Sequence, residues 1–202
     1  MLESMINRRV VLAGGPSTGK TSVLNKLKKL GFKCYDESAR EILSEYEKKG
    51  SSFRLNPIKV SEEILKKRDK DFTEARDILC KNNIVFFDRG IHEITAYLRS
   101  INSSEEYWEE LLKNYDYDMV FFFPSWKDIY IKDKNRVEEY EEATRISPYI
   151  DKVYEESSIL KIKVPCTSIN ERVDFILNNI CLLYTSDAAD EGLGVDLGGR
   201  RI

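Results

Sequence analysis

The sequence has a single histidine, His92, and four cysteines, Cys34, Cys80, Cys166 and Cys181, none of them in a C-x-x-C pair. Zinc ribbons, thioredoxin-like redox sites, multi-histidine metal sites and paired-histidine mechanisms are therefore excluded by count and spacing. Each cysteine adjoins apolar neighbours, so buried free thiols in a reducing compartment are expected. Long apolar runs are also missing: the longest unbroken one is Met119 to Phe123, far short of the roughly 18–20 residues that span a bilayer. The N-terminal residues lack the apolar core of a secretory signal, so the expected place is the cytosol, away from membranes. Excess basic charge is absent as well. With 35 acids, 32 bases and a net charge of -3, the chain has no global field for duplex nucleic acid.

What remains is the composition of a well-cored globular protein. Hydrophobic residues make up 42% and charged residues 33% of 202 residues, enough for one domain. The composition changes at Thr185. Four of the ten glycines and no aromatic fall in residues 185–202, and no helical or strand period persists there. The run L-L-Y-T-S-D-A-A-D-E resembles translated adapter sequence. Residues 185–202 are thus read as a non-native or disordered tail, set apart from a domain over residues 1–184. Without the tail the balance is 31 acids to 30 bases.

Within the domain, apolar runs of strand character alternate with helical patterns. Arg9 to Ala13, Phe32 to Tyr35, Ile84 to Phe87, Met119 to Phe123 and Leu160 to Val164 read as five strands. A helix begins near Lys20. Ser38-x-x-Glu41, Ser103-x-x-Glu106 and Ser168-x-x-Glu171 read as capping boxes. Asn56-Pro57 opens a long helix to about Lys81, with Ile58, Leu65, Phe72 and Leu79 on one face. Strands joined through helices imply a mostly parallel sheet covered on both faces, with ligands at the carboxyl ends of the strands. The chemistry is therefore expected after Ala13, Tyr35, Phe87 and Phe123.

After Ala13 stands Gly14-Gly15-Pro16-Ser17-Thr18-Gly19-Lys20-Thr21, the G-x-x-x-x-G-K-[ST] pattern of a phosphate-binding loop between a buried strand and a helix. The glycines let backbone N–H groups converge on phosphate, and the helix presents its positive end to the same anion. Residues Gly14 to Thr21, with Ser22 beside them, are the expected nucleotide contacts. Lys20 is expected to reach the β and γ phosphates and the Thr21 hydroxyl to ligate Mg²⁺. Ile84 to Phe87 followed by Asp88 has the form of a Walker B strand, with Asp88 as the second magnesium ligand. A hydrolytic motor usually has a glutamate next, to activate water. Here the neighbour is Arg89, which suits anchoring or charge neutralisation and tilts the reading towards phosphoryl transfer.

Asp36-Glu37 ends the second strand, where a carboxylate could take a hydroxyl proton or bond a ribose; the residues do not say which of the two does so. Between about 126 and 147, Lys127, Lys132, Lys134, Arg136 and Arg145 form a basic, lid-like segment. Arg136 is the foremost candidate to close over phosphates, ahead of Arg145. Arg68 lies on the apolar side of the long helix, where it could contact the acceptor, although a snorkelling side chain is the expected account. His92 is expected to be structural.

The segments G-G-P-S-T-G-K-T, D-E-S-A-R, F-F-D-R-G-I and K-N-R-V-E-E-Y-E-E-A together resemble the predicted ATPases of the NadR-type AAA-domain family, over roughly residues 8–184. That resemblance implies an α/β P-loop NTPase fold of nucleotide-kinase type, a three-layer sandwich with a five-stranded parallel sheet. It also implies that the second and third strands lie on one side of the phosphate-loop strand. Its name-giving relative phosphorylates nicotinamide riboside. The resemblance supports Gly14 to Thr21 for nucleotide, Asp88 for magnesium and, less directly, Arg89 and Arg136. Too little chain follows the fifth strand for the helical lid of a ring ATPase. The sequence therefore points to an ATP- and Mg²⁺-dependent kinase acting on a small hydroxylated, nucleoside-like acceptor, with Lys20, Asp36, Glu37, Asp88, Arg89 and Arg136 as candidate catalytic residues. A nucleotide-dependent switch acting through a protein partner is the alternative.

Overall fold

The computed structural model describes residues 7–48, 50, 55–129 and 140–192. Five strands, β1 (Arg8–Ala13), β2 (Lys33–Tyr35), β3 (Ile84–Asp88), β4 (Met119–Phe122) and β5 (Leu160–Lys163), form one sheet in the order β2-β3-β1-β4-β5. All four pairings are parallel, with Val10 of β1 opposite Phe86 on one side and Met119 on the other. β2 and β3 thus lie together on one side of β1, as the resemblance implied.

The three inner strands are apolar along their length because both faces are covered, and alternate side chains serve different layers. Val11, Ala13, Val85, Phe87, Val120 and Phe122 meet α3 (Pro57–Asp77), α4 (His92–Ser100) and α6 (Tyr140–Glu155). Val10, Leu12, Phe86, Met119 and Phe121 meet α1 (Lys20–Lys29) and α7 (Ile169–Gly192). Two shorter helices, α2 (Ala39–Lys48) and α5 (Glu106–Leu111), pack through Ala39 and Trp108 against the first layer.

Several local expectations are corrected. α3 stops at Asp77, and Ile78 is already extended, so Leu79 lies past the helix and is fully exposed. The stripe of residues seven apart also drifts, because a 3.6-residue helix turns by about 20° per heptad relative to a 3.5 repeat. The buried face is Val60, Ile64, Arg68, Asp71, Phe72 and Ala75. Ser103 does not cap α5, which is preceded by Glu105; instead its N–H bonds the Leu98 carbonyl and closes the end of α4. The box at Ser168 does form, with the Ser168 N–H donating to Glu171 Oε2 and the Glu171 N–H to Ser168 Oγ.

α7 runs eight residues past Tyr184, to Gly192, where regular structure was not expected. No proline interrupts that stretch, and Ala188 and Ala189 favour helix. The four cysteines are free, but Cys166 and Cys181 are exposed and Cys34 and Cys80 half-buried; none is a core thiol. Among the described residues no helix is long and apolar enough to cross a membrane.

Candidate active site

The phosphate loop leaves β1 at Gly14, whose φ of 137° already favours glycine. A Cβ there would sit 2.3 Å from the Phe123 carbonyl oxygen, just past β4. Gly19, at φ 87°, turns the chain into α1. Lys20 folds over the loop it follows. Its Nζ donates to the carbonyl oxygens of Gly14 and Gly15 at 2.8 and 2.6 Å and to Thr18 Oγ1 at 3.1 Å. The ammonium is buried, and that burial, reinforced by the Arg89 charge, lowers its pKa to about 8 despite nearby Asp88, Glu93 and Glu37. Pro16 and Ser17 are half-buried in the loop, while Ser22 points from α1 as an exposed residue.

Asp88 ends β3 opposite Leu12 of β1. Thr21 Oγ1 donates to its Oδ2 at 3.0 Å, which joins the two residues expected to hold magnesium. The other oxygen, Oδ1, is buried with no partner among the described residues. Burial raises the Asp88 pKa, Glu37 adds to the rise, and Lys20 and Arg89 oppose it. Among the described residues no three His, Cys, Asp or Glu side chains cluster to hold a metal. A magnesium ion on phosphates needs no such cluster, since it keeps waters and takes one or two protein oxygens. The Thr21 hydroxyl and the orphaned carboxylate oxygen fit it.

Asp36 and Glu37 sit in different surroundings, and Asp36 also lines the cleft at the strand ends. Asp36 is exposed and forms a surface salt bridge with Lys28. Glu37 turns inward, with Oε1 2.5 Å from Arg89 Nε and Oε2 accepting from Arg40 Nε at 2.8 Å. Burial alone would raise its pKa, but Arg89, Lys20 and Arg40 prevail and hold it at about 2. Arg89 is itself buried, at a φ of 77°. Its Nη1 donates to Glu93 Oε2 at 2.6 Å and to the Gly14 carbonyl at 3.0 Å. One guanidinium thus ties Glu37, Glu93 and the phosphate loop together. Glu93 is wholly buried, and burial raises its pKa against the pull of Arg89.

A narrow cleft lies at the ends of β2 and β3 beside α3, lined by Tyr35, Asp36, Ser38, Arg68, Asp71, Phe87, Asp88, Arg89 and Tyr117. The snorkelling account of Arg68 fails. The residue is 7% exposed, and its Nη1 donates to the Gly90 carbonyl at 2.6 Å. Its position on one stripe with Ile64 and Phe72 was the available signal. Asp71, Tyr35 and Tyr117 escaped sequence reading, as did Arg172. Arg172, on the first turn of α7, donates Nη1 to the Thr18 carbonyl at 3.0 Å and lies 4.6 Å from the Trp126 ring centroid. No motif marks it; only the fold brings α7 to the loop.

Arg145 donates Nη1 to the Ser100 carbonyl, at the C-terminal end of α4, at 3.1 Å. Lys127 lies exposed on a single 3-10 turn. Lys132, Lys134 and Arg136 lie outside the described residues. His92 is buried and stacked on Tyr154 with ring centroids 5.3 Å apart, and burial lowers its pKa to about 4, so it is neutral packing.

A family model described as an AAA domain matches residues 9–172. No curated protein sequence matches the chain. Deoxyadenosine kinase from M. mycoides with bound dATP superimposes with a TM-score of 0.68 at 15% identity, over 86% of this chain and 99% of that one. Thymidylate kinase from Candida albicans gives 0.65 at 15% identity, over 89% and 93%. NadR protein in complex with NR gives 0.65 at 15% identity, over 84% of this chain and 50% of that one. These likenesses establish the P-loop kinase fold.

Proposed function

The chain belongs to this AAA-domain family, and from that premise we propose that it is an ATP-dependent kinase that phosphorylates a hydroxyl of a small, nucleoside-like acceptor. The observation that carries the reading is the fixed, ionised carboxylate of Glu37, held by Arg89, which also reaches the phosphate loop at Gly14. A hydrolytic motor would place a water-activating acid after Asp88. This protein places there the arginine that orients Glu37.

In the proposed step the acceptor oxygen attacks the γ phosphorus of ATP, the bond to the β–γ bridging oxygen breaks, and ADP leaves. The amides of Gly14 to Thr21 and the N-terminus of α1 bind the phosphates, and Lys20 exchanges its loop carbonyls for phosphate oxygens. Thr21 and Asp88 would hold Mg²⁺, which when bound neutralises charge on the β and γ phosphates. Glu37 accepts the hydroxyl's hydrogen bond and receives its proton late. With a pKa of about 2 it is a weak base, which suits a loose transition state in which the nucleophile needs orientation more than deprotonation. Four free thiols agree with a reducing, cytosolic setting.

The test is ADP release from MgATP by the full chain, with and without pooled nucleosides, nicotinamide riboside and simple sugars. Acceptor-stimulated release towards ~1–100 per second is expected, and Lys20→Ala should abolish it without unfolding the protein. Nucleotide binding with a slow background that no acceptor raises would instead favour a nucleotide-dependent switch.

A further inference from the structure

Arg172 is a buried cation to which the proposed chemistry gives no part. It stands on the first turn of α7, which the Ser168–Glu171 box fixes, and is 3% exposed. Among the described residues no carboxylate pairs with it, and its Nε has no partner. The Trp126 ring covers the guanidinium, with its centroid 4.6 Å away, and the Phe123 ring lies at 6.0 Å. Its side-chain hydrogen bond goes from Nη1 to the Thr18 carbonyl at 3.0 Å. A guanidinium buried without a counter-charge is costly, and a polyphosphate in the loop would bring one.

Thr18 faces two ways. Its hydroxyl belongs to the loop interior, within 3.1 Å of Lys20 Nζ and donating to the Gly15 carbonyl at 3.0 Å. Its carbonyl faces α7 instead. The C=O and N–H of a trans peptide point in opposite directions, and the described peptide bonds are all trans. The Thr18–Gly19 unit therefore turns the Gly19 N–H away from α7. That N–H has no partner among the described residues. Gly19 sits at φ 87°, and glycine takes φ of either sign at little cost, so nothing local stops this peptide from flipping. The contact that selects its orientation comes from Arg172.

We propose that Arg172 is a positioning residue for the nucleotide: it pins the Thr18 carbonyl so that the Gly19 N–H is aimed at phosphate. The inference rests on the nucleotide-binding half of the kinase reading. A donor already aimed needs no reorientation when the ligand arrives, and the unbalanced charge of Arg172 adds to the attraction for polyphosphate.

Thr18–Gly19 is the one Thr–Gly pair in the sequence. Joint isotope labelling of threonine carbonyl carbon and glycine nitrogen therefore isolates the Gly19 amide in an NMR spectrum of the full chain. Adding MgADP or inorganic tripolyphosphate should move that signal downfield, as a hydrogen bond to phosphate does. Arg172→Met, close in length but unable to donate, should weaken tripolyphosphate binding about tenfold or more. Its Gly19 signal should differ from that of the wild type before any ligand is added. Arg172→Lys, which still donates, should recover most of the affinity and the wild-type signal. Thermal melts without nucleotide report whether each variant is folded. An Arg172→Met chain that binds as tightly as the wild type overturns the proposal. So does weaker binding with an unchanged Gly19 signal, since lost charge alone would then account for it. Should Arg172→Met fail to fold, the wild type still decides, because MgADP binding that leaves Gly19 unmoved overturns this proposal while the kinase reading stands. Absence of nucleotide binding by the wild type would remove both, so the two failures separate.

Discussion

Lys20 shows how one residue's environment sets a measurable property. Its ammonium is buried among loop carbonyls beside Arg89, so half of it is neutral near pH 8. For this base the folded pKa lies below the usual 10.5. The unfolded chain therefore holds more protons between about pH 8 and 10.5, and the group's contribution to stability rises with pH across that window. Polyphosphate favours the charged form, so nucleotide binding at pH 8.5 should take up roughly three-quarters of a proton. Calorimetry in buffers of different ionisation heat would read this uptake. Lys20→Arg, permanently charged, should bind without it; equal uptake in that variant would assign the proton to another group. At this scale the octapeptide and Asp88 were legible because their chemistry demands fixed spacing. The choice between Asp36 and Glu37 was not, since the chain leaves β2 at Tyr35 and strand parity no longer says which side chain turns inward. Arg68 was misread because a stripe that pairs an arginine with apolar residues looks alike for a snorkelling and a buried guanidinium.

Elements report on packing that composition cannot. The turn between β3 and α4 passes under α6, where a Cβ on Gly90 would lie 2.4 Å from the Tyr154 hydroxyl oxygen. That hydroxyl is buried and has no partner among the described residues, so removing it forfeits little. Gly90→Ala should cost about 1–3 kcal/mol by overpacking, and Tyr154→Phe should cost under about 1 kcal/mol. Combined, the two should recover most of the loss, though not all, because Tyr117 and Val11 each approach to 3.3 Å. Urea denaturation of the double-mutant cycle measures the coupling; strictly additive losses would show that Tyr154 is not what constrains the turn. The helices themselves were read well where local chemistry decides, as at Ser168 and Asn56. They were read poorly where a stop depends on tertiary contact. Asn7, which precedes β1, donates Nδ2 to the Ala75 and Ile78 carbonyls and so satisfies the end of α3 four residues before the expected Lys81. No window of sequence around α3 contains that partner.

At the scale of the molecule, alternating strand and helix patterns sufficed for a parallel sheet with two covered faces, because unbroken apolar strands have no other stable setting. Strand order was not contained in those patterns; it came from the resemblance to a family. That order gathers the site from distant segments. The loop after β1, Glu37 after β2 and Asp88-Arg89 at the end of β3 meet at one edge because β3 lies between β2 and β1. Arg172 reaches the same loop from α7, across 154 residues of chain. A nucleotide bound there contacts segments from both layers, so it should stabilise the whole fold and not one element. At a hundred times Kd, binding adds about 2.7 kcal/mol, which for a chain of this size raises Tm by about 5–10 °C. A non-hydrolysable ATP analogue with Mg²⁺ should shift a single cooperative transition by that amount, and Lys20→Ala should remove the shift. Two transitions, with only one moved by nucleotide, would mean that the layers on either side of the sheet unfold separately.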